Sequence, residues 1–155
     1  MKKRILLVGA AGFTGKALRD VLASSYALSL FDIKPIPDTP DTIQADLADF
    51  DAVRQAMEGV DGVVNAMMAP NETYNRPEIP FRSNVLGCAN LLEAARESGA
   101  LRAMVVITTD KVYDNKESRR SYREEDSLGG HDPYSASKAA ADLVAQSYIK
   151  SFFSP

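Results

Sequence analysis

Short apolar runs alternate with longer segments of helical periodicity along the chain, and this alternation constrains the fold more than any other feature. The runs of strand length are 4–8, 27–31, 42–44, 62–66 and 103–108. The segments with apolar residues on one helical face are 13–23, 49–57, 81–98 and 133–153. Such alternation produces βαβ units and a parallel sheet. Because these crossovers are right-handed, the pattern predicts an α/β fold with about five strands in a doubly wound sheet ordered 3-2-1-4-5.

The composition is that of an ordinary globular protein and excludes several kinds of site. With 155 residues, of which 45% are hydrophobic, the length predicts one domain over residues 1–155. The single cysteine, Cys88, cannot form an internal disulfide, and with the single histidine, His131, it cannot build a His/Cys zinc site. One histidine also argues against a histidine-based catalytic triad. We therefore expect no metal.

The sequence gives no sign of a nucleic-acid or membrane partner. The net charge of -3 provides no basic footprint for nucleic acid. No window approaches the roughly 20 apolar residues of a membrane span. The apolar run after Lys2–Arg4 is short, glycine-interrupted and not followed by a signal-peptide cleavage pattern. A cytoplasmic location is the resulting expectation.

Three glycines, Gly9, Gly12 and Gly15, occupy the connection between the first strand and the first helix with GxxGxxG spacing. The first permits a tight turn, the second lets backbone approach a pyrophosphate, and the third lets the helix pack close to the strand. The helix N-terminus then offers free N–H groups to the anion. A glycine-rich turn without a ligand is the alternative, but the strand–loop–helix context favours a Rossmann-type dinucleotide site.

Asp32 ends the second strand, 23 residues after Gly9. A carboxylate at this position can accept hydrogen bonds from both ribose hydroxyls of an adenosine, and it repels a 2′-phosphate. Asp32 thus favours NAD over NADP, although Lys34 nearby is able to accommodate a phosphate. A turn or capping residue is the alternative for Asp32 taken alone.

Tyr134 and Lys138 lie four residues apart and share one face of the last predicted helix. A cation close to a phenol favours the phenolate and lowers the pKa of the tyrosine. A phenol tuned in this way exchanges a proton with a substrate hydroxyl near neutral pH. The alternative is an incidental, exposed pair.

Thr109, Asp110 and Lys111 follow the fifth predicted strand. Ligands of open α/β sheets bind outside the carboxyl ends of the strands. We therefore expect a hydroxyl, a carboxylate and an amine beside the cofactor. Strand-end capping and a solvated loop form the alternative.

These motifs together resemble the extended short-chain dehydrogenase/reductase family, the NAD-dependent nucleotide-sugar epimerases and dehydratases. The matching segments are 9–15, 46–47, 83–87, 109–110, and Tyr134 with Lys138. The C-terminal half is most similar to CDP-glucose 4,6-dehydratases, over 108–117 and 128–138. The segment 46–53 is more similar to uronate dehydrogenases or generic epimerases.

The resemblance implies NAD as cofactor, a nucleotide sugar as substrate and hydride transfer at C4 of the hexose. Tyr134 would remove the hydroxyl proton, Lys138 would lower the tyrosine pKa and hold the nicotinamide ribose, and Thr109 would bond the same hydroxyl. Asp110 would protonate a departing C6 hydroxyl and Lys111 would assist at C5. Dehydration, epimerisation and simple dehydrogenation all remain open.

The family also implies a set of cofactor contacts. These are Gly9, Gly12, Phe13, Thr14, Gly15, Asp32, Ile33, Asp46, Leu47, Ala66, Met67, Ser83, Tyr134 and Lys138. Asp46 and Leu47 would contact the adenine, with a loop acid and a core leucine as the alternative. Ser83 would lie near the nicotinamide, with helix capping as the alternative.

The family's substrate-binding portion follows the Tyr/Lys helix, so residues 1–155 are expected to be an NAD-binding domain that is truncated relative to the family. A non-catalytic NAD-binding fragment is therefore a competing hypothesis. Relatives often pair through two long helices, which correspond here to 81–98 and 133–153. This predicts a possible homodimer.

Overall fold

The computed structural model describes residues 1–39, 42–69 and 75–153, and its parallel strands form one sheet in the order β3-β2-β1-β4-β5. The strands are β1 (Arg4–Val8), β2 (Ala27–Asp32), β3 (Thr42–Gln44), β4 (Gly62–Asn65) and β5 (Ala103–Val106). Val8 at the end of β1 pairs with Phe31 on β2 and with Asn65 on β4. The carboxyl ends of the three central strands are therefore level. The α/β class and the strand order are confirmed.

The main helices are α1 (Phe13–Ala23), α2 (Phe50–Ala56), α3 (Gly87–Ser98) and α4 (Pro133–Tyr148). Asp49 and Asp132 cap α2 and α4, since each side chain accepts a hydrogen bond from a first-turn N–H. Gly99 ends α3 with a φ of 58°, in the left-handed region that favours glycine. Within the described ranges, no helix combines the length and apolar character needed to cross a membrane.

The two long predicted helices each contain a π-helical segment. Phe81–Leu86 is π-helical and follows a short helical turn at Glu78–Pro80, so α3 proper begins at Gly87. The last predicted helix likewise changes to π-helical winding at Ile149–Phe153. A π turn contains one extra residue, and an apolar pattern read at the α-helical period does not reveal it.

β4 and β5 end earlier than the apolar runs predict, at Asn65 and Val106. The side chain of Asn65 accepts a hydrogen bond from the N–H of Met67 at 3.1 Å, which turns the chain out of the sheet. The N–H of Ile107 still donates to the Asn65 carbonyl at 3.0 Å, an ordinary length for a hydrogen bond between strands. The chain then leaves the sheet and enters the turn at Thr109. Ala66 and Thr108 thus lie in the loops that follow the carboxyl ends of β4 and β5.

Both faces of the sheet are covered, as a parallel sheet requires. Leu6 and Val8 point to the side of α2 and α3, in a cluster with Val53 and Leu91, while Leu7 points to the side of α1. A third cluster joins α3 to α4 and contains Cys88, whose thiol has its pKa raised to about 11 by burial. These layers fix α1 against one face of the sheet and α4 against α3 and β5.

Candidate active site

A cleft of about 280 Å³ opens at the carboxyl ends of β1, β2 and β4. Its lining residues are Gly9, Ala11, Gly12, Phe13, Thr14, Asp32, Ile33, Lys34 and the run 66–69. The cleft therefore brings together most of the predicted cofactor contacts. A larger groove of about 700 Å³ lies between the ends of α2 and α3, where the chain enters β4 and β5. None of the predicted site residues lines it.

The glycine turn is packed so closely that side chains are excluded. Gly9 has a φ of +75°, and a Cβ there would lie 2.9 Å from the Ala66 backbone. A Cβ on Gly15 would overlap the carbonyl of Gly9 and lie 2.7 Å from the Cα of Ala10. Gly12 caps α1 without a side-chain hydrogen bond. The first-turn N–H groups of α1 thus receive no acceptor from their cap, which suits the pyrophosphate of a dinucleotide.

Asp32 is held rigidly at the edge of the same cleft and is only 8% exposed. Its Oδ2 accepts a hydrogen bond from the N–H of Ala11 at 2.9 Å, and its Oδ1 accepts one from the N–H of Lys34 at 2.9 Å. The carboxylate therefore links the glycine turn to the end of β2. Ile33 and Lys34 line the cleft beside it. This arrangement fits the ribose of an adenosine.

Asp46 and Leu47 follow β3 and have different environments. The Leu47 side chain is buried in the core, so it matches the alternative of a core leucine. The Asp46 carboxylate is partly exposed, accepts a hydrogen bond from the N–H of Ala48 at 2.9 Å and pairs with Arg82 at 3.0 Å. Neither residue lines the cleft described above.

Thr109, Asp110 and Lys111 form a short turn after β5. The Thr109 hydroxyl donates to Oδ1 of Asp110 at 3.0 Å and caps the turn by accepting from the N–H of Lys111 at 3.4 Å. Asp110 and Lys111 line a separate cavity of about 270 Å³, together with Ser135 on the first turn of α4. The turn thus presents its carboxylate and its amine beside the start of the Tyr134 helix.

Tyr134 is partly buried on the first turn of α4. Burial is the main factor that raises the pKa of its phenol, and the nearby Asp132 and Asp110 carboxylates raise it further. The prediction that Lys138 lowers the pKa of Tyr134 is wrong for this geometry. The physical reason is that the Lys138 ammonium contacts the backbone carbonyls of Met67 and Ile107 instead of the phenol.

The Lys138 side chain is 5% exposed and reaches the ends of β4 and β5. Its Nζ donates to the carbonyl of Met67 at 2.6 Å and to that of Ile107 at 3.2 Å. Burial lowers the pKa of Lys138 to about 8. Because Met67 lines the cleft at the glycine turn, this contact brings the ammonium to the cleft wall.

Asn84 and its neighbour Ser83 lie on the π-helical segment against α4. Asn84 is 3% exposed, and its Nδ2 donates to Oγ of Ser137 at 2.9 Å. Its Oδ1 has no hydrogen-bond partner among the described residues. Ser137 in turn donates to the carbonyl of Tyr134 at 2.7 Å. The π-helical segment is thereby joined to the turn that carries Tyr134 and Lys138.

Sequence reasoning missed three residues that shape this site: Asn65, Arg82 and Ser137. Asn65 is buried at the end of β4 and directs Met67 into the cleft. A polar residue in an otherwise apolar strand was the available signal for it. Arg82 and Ser137 act through partners that are distant in sequence, so local spacing carries no signal for them.

The comparison with protein families agrees with this geometry. The model of the NAD dependent epimerase/dehydratase family matches residues 5–154. The chain belongs to this family. The resemblance inferred from the motifs is therefore confirmed at the family level, and NAD is the cofactor on which the family depends.

Relatives in the epimerase/dehydratase family include nucleotide-sugar dehydratases. The CDP-glucose 4,6-dehydratase of Salmonella typhimurium is 35% identical over 99% of this chain and 47% of its own length. The dTDP-glucose 4,6-dehydratase of Mycobacterium tuberculosis is 31% identical over 96% of this chain and 50% of its own length. The uronate dehydrogenase of Pseudomonas syringae is 30% identical over 94% of this chain and 54% of its own length. The chain spans about half the length of these relatives.

Solved structures with NAD bound have the same fold. The UDP-glucose 4-epimerase of Thermus thermophilus has a TM-score of 0.84 and 26% identity, covering 97% of this chain and 52% of the epimerase. A dTDP-glucose 4,6-dehydratase of Streptomyces venezuelae has a TM-score of 0.85 and 27% identity, covering 97% of this chain and 52% of the dehydratase. Both structures contain NAD.

Proposed function

We propose that this chain binds NAD in the cleft at the glycine turn and takes part in hydride transfer at C4 of the hexose of a nucleotide sugar, in the cytoplasm. The observation that carries the proposal is the continuity of the site. Asp32 and the glycine turn line one end of the cleft, and the Lys138 ammonium reaches Met67 at its wall. Residues 1–155 thus supply both a dinucleotide cradle and the groups for proton transfer.

The cofactor would lie across the strand ends with its ribose on Asp32 and its pyrophosphate on the N-terminus of α1. Bound NAD supplies a hydride acceptor, and its positively charged ring would favour the phenolate of Tyr134. Gly9, Gly12, Phe13 and Thr14 surround the pyrophosphate position. Ala66 and Met67 line the cleft, and Ser83 would lie near the nicotinamide.

Tyr134 acts on the hydroxyl proton of the sugar. At neutral pH its raised pKa keeps the phenol protonated in the cofactor-free chain, because burial and, to a smaller extent, the Asp132 and Asp110 carboxylates disfavour the phenolate. A cationic environment is therefore required before Tyr134 serves as a base. Lys138, whose ammonium lies on the carbonyls of Met67 and Ile107, would hold the nicotinamide ribose, and Thr109 would hydrogen-bond the same sugar hydroxyl.

Asp110 and Lys111 favour dehydration over the other outcomes. Asp110, as a carboxylic acid, would protonate the hydroxyl that leaves C6, and Lys111 would assist removal of the C5 proton directly or through water, so that one water departs. Both side chains line the cavity beside α4. An epimerase outcome needs only Thr109, Tyr134 and Lys138.

Substitution of Tyr134 by phenylalanine tests the catalytic proposal. We expect Tyr134→Phe to lower turnover about 10²- to 10⁴-fold, the usual contribution of a positioned acid–base group. Turnover is measured with CDP-glucose, dTDP-glucose and UDP-glucose by mass spectrometry, as loss of one water. Tyr26→Phe, at an exposed tyrosine outside the site, is the matched control.

Full turnover by Tyr134→Phe would contradict the assigned role. Wild-type chain that binds NAD and converts no nucleotide sugar would favour the alternative of a non-catalytic NAD-binding unit. Similarity to the uronate dehydrogenase of Pseudomonas syringae supports a third outcome, in which a uronate is oxidised and NADH accumulates.

A homodimer through segments 81–98 and 133–153 stays a prediction. Leu86 and Leu143 on these segments are 45% and 55% exposed, which leaves apolar surface for a second copy. Leu92, by contrast, is buried against Ala141 and Ala145 inside the chain. A second copy would therefore pack on the exposed Leu143, because the buried Leu92 is not accessible to it.

A further inference from the structure

The chain that leaves the turn after β5 folds back on itself as a loop, residues 113–128, before it reaches α4. The N–H of Gly129 donates to the carbonyl of Val112 at 2.8 Å, and the N–H of Asp114 donates to the carbonyl of Ser127 at 2.9 Å. These two hydrogen bonds join the beginning of the loop to its end. The loop is therefore closed at its base, directly after the turn that follows β5.

Tyr122, in the middle of this loop, is held against the loop's beginning. Its ring stacks on the ring of Tyr113, with the ring centroids 4.9 Å apart and the planes inclined by 12°. Its hydroxyl donates to Oδ1 of Asn115 at 2.8 Å. An offset stack of two aromatic rings is attractive beyond the area that it buries. The Tyr122 ring is therefore fixed in place, although 39% of the residue stays exposed.

The residues on either side of Tyr122 are fixed by the Asp126 carboxylate. Its Oδ1 accepts a hydrogen bond from Nη2 of Arg120 at 2.6 Å, and its Oδ2 accepts one from the N–H of Arg123 at 2.8 Å. The N–H of Arg123 and the Arg120 guanidinium hold the pKa of Asp126 below its usual value. The carboxylate therefore stays ionised at neutral pH, and contacts within the loop itself set the position of Tyr122.

Tyr122 forms part of the wall of the cavity beside α4, which has a volume of about 270 Å³ and is also lined by Asp110 and Lys111. His131 lines it as well, with its Nε2 3.1 Å from Oδ1 of Asp114. In the proposed function, Asp110 acts at C6 of the hexose and Lys111 acts at C5. That end of the sugar would therefore enter this cavity, where Tyr122 is part of the same lining.

We propose that Tyr122 is a specificity-determining residue, whose ring packs against C6 of the hexose and makes the site select a hexose over a pentose. The inference rests on the proposed function and extends it to the choice of sugar. An aromatic ring gives a CH₂ group an apolar surface on which to pack, and burial of that group favours binding. A pentose of the same configuration has no C6, so its binding would leave the wall at Tyr122 without a contact.

The test compares UDP-glucose with UDP-xylose, which differ only in the CH₂OH group on C5 of the sugar. Contacts with the nucleotide are therefore the same for both probes. Dissociation constants are measured by calorimetry for the NAD-saturated wild type, Tyr122→Ala and Tyr122→Phe. Tyr26→Ala is the matched control, because Tyr26 is 38% exposed and lies outside the cavity. Thermal unfolding verifies that each variant is folded.

The imidazole of His131 gives a second readout by NMR. It is the only histidine in the sequence, so its ring signals are identified without ambiguity. Because His131 lines the cavity, a sugar that enters the cavity should shift these signals at constant pH. A nucleotide sugar that binds and leaves the signals unmoved would place the hexose elsewhere and overturn the inference.

We expect wild type to bind UDP-glucose at least about fourfold more tightly than UDP-xylose, the ratio that corresponds to one buried CH₂ group. Tyr122→Ala should lower this ratio by about the same factor, whereas Tyr122→Phe and Tyr26→Ala should keep it. Equal affinities in wild type, a ratio that Tyr122→Ala leaves unchanged, or a ratio lost in Tyr122→Phe overturns the inference while the proposed function stands. Folded wild type that binds NAD and neither nucleotide sugar overturns both proposals.

Discussion

Gly15→Ala is expected to destabilise the fold by about 3 kcal/mol and to abolish dinucleotide binding, because the added methyl group would overlap backbone on both sides. The methyl would meet the Gly9 carbonyl and lie 2.7 Å from the Cα of Ala10. These atoms belong to the glycine turn and cannot yield as a flexible side chain does. α1 must move away from β1, which removes its N-terminus from the cleft.

Gly12→Ala separates binding from stability at the same turn. Gly12 has an ordinary φ of -71°, and a Cβ there would lie 3.2 Å from the Gly9 carbonyl. Its methyl group would press only lightly on that carbonyl, so we expect the helix to stay in place, and NAD binding to weaken because Gly12 lines the cleft. Chemical denaturation and NAD titration of Gly15→Ala, Gly12→Ala and the exposed control Lys16→Ala distinguish the effects. Gly15→Ala with wild-type stability and affinity would refute the packing argument.

Lys138→Met is expected to change how stability depends on pH. Burial lowers the pKa of Lys138 to about 8, from the usual lysine value of 10.5. Between these values the unfolded chain binds more protons than the native chain, so native stability rises with pH. Relative to Lys138→Met, wild type should therefore gain about 3 kcal/mol between pH 8 and 10.5.

The pH effect is measured as the difference in unfolding free energy between wild type and Lys138→Met at a series of pH values. Below pH 8 the difference should be constant, because the lysine is protonated in both states. Methionine has a similar length and no charge, so it isolates the titration. A difference that stays flat up to pH 10.5 would mean that the amine is not buried as described.

Local pattern was sufficient to predict the sheet and the cleft. Right-handed crossovers leave few strand orders open, and the glycine spacing between β1 and α1 places a cradle at the strand ends. Asp32 was predictable for the same reason, since it ends the strand beside that cradle. Each of these features depends on neighbours in sequence or on a general rule of topology.

The environment of individual side chains was not predictable in this way. Spacing showed that Tyr134 and Lys138 share a helical face, but it did not show that the Lys138 ammonium contacts carbonyls at Met67 and Ile107. Likewise, the burial of Leu47 depends on Gly87, which lies on a different element. Such contacts join distant parts of the chain, and only the assembled core determines them.

Calorimetric titration with NAD and NADP, on wild type and Asp32→Ala, tests the central claim most directly. The account predicts that wild type binds NAD with a stoichiometry of about one and prefers it to NADP, because a fixed carboxylate meets the ribose hydroxyls. Asp32→Ala, checked for folding by circular dichroism, should bind NAD at least about tenfold more weakly and lose the preference. Folded wild type that binds no NAD, or Asp32→Ala with unchanged affinity and preference, would contradict the account.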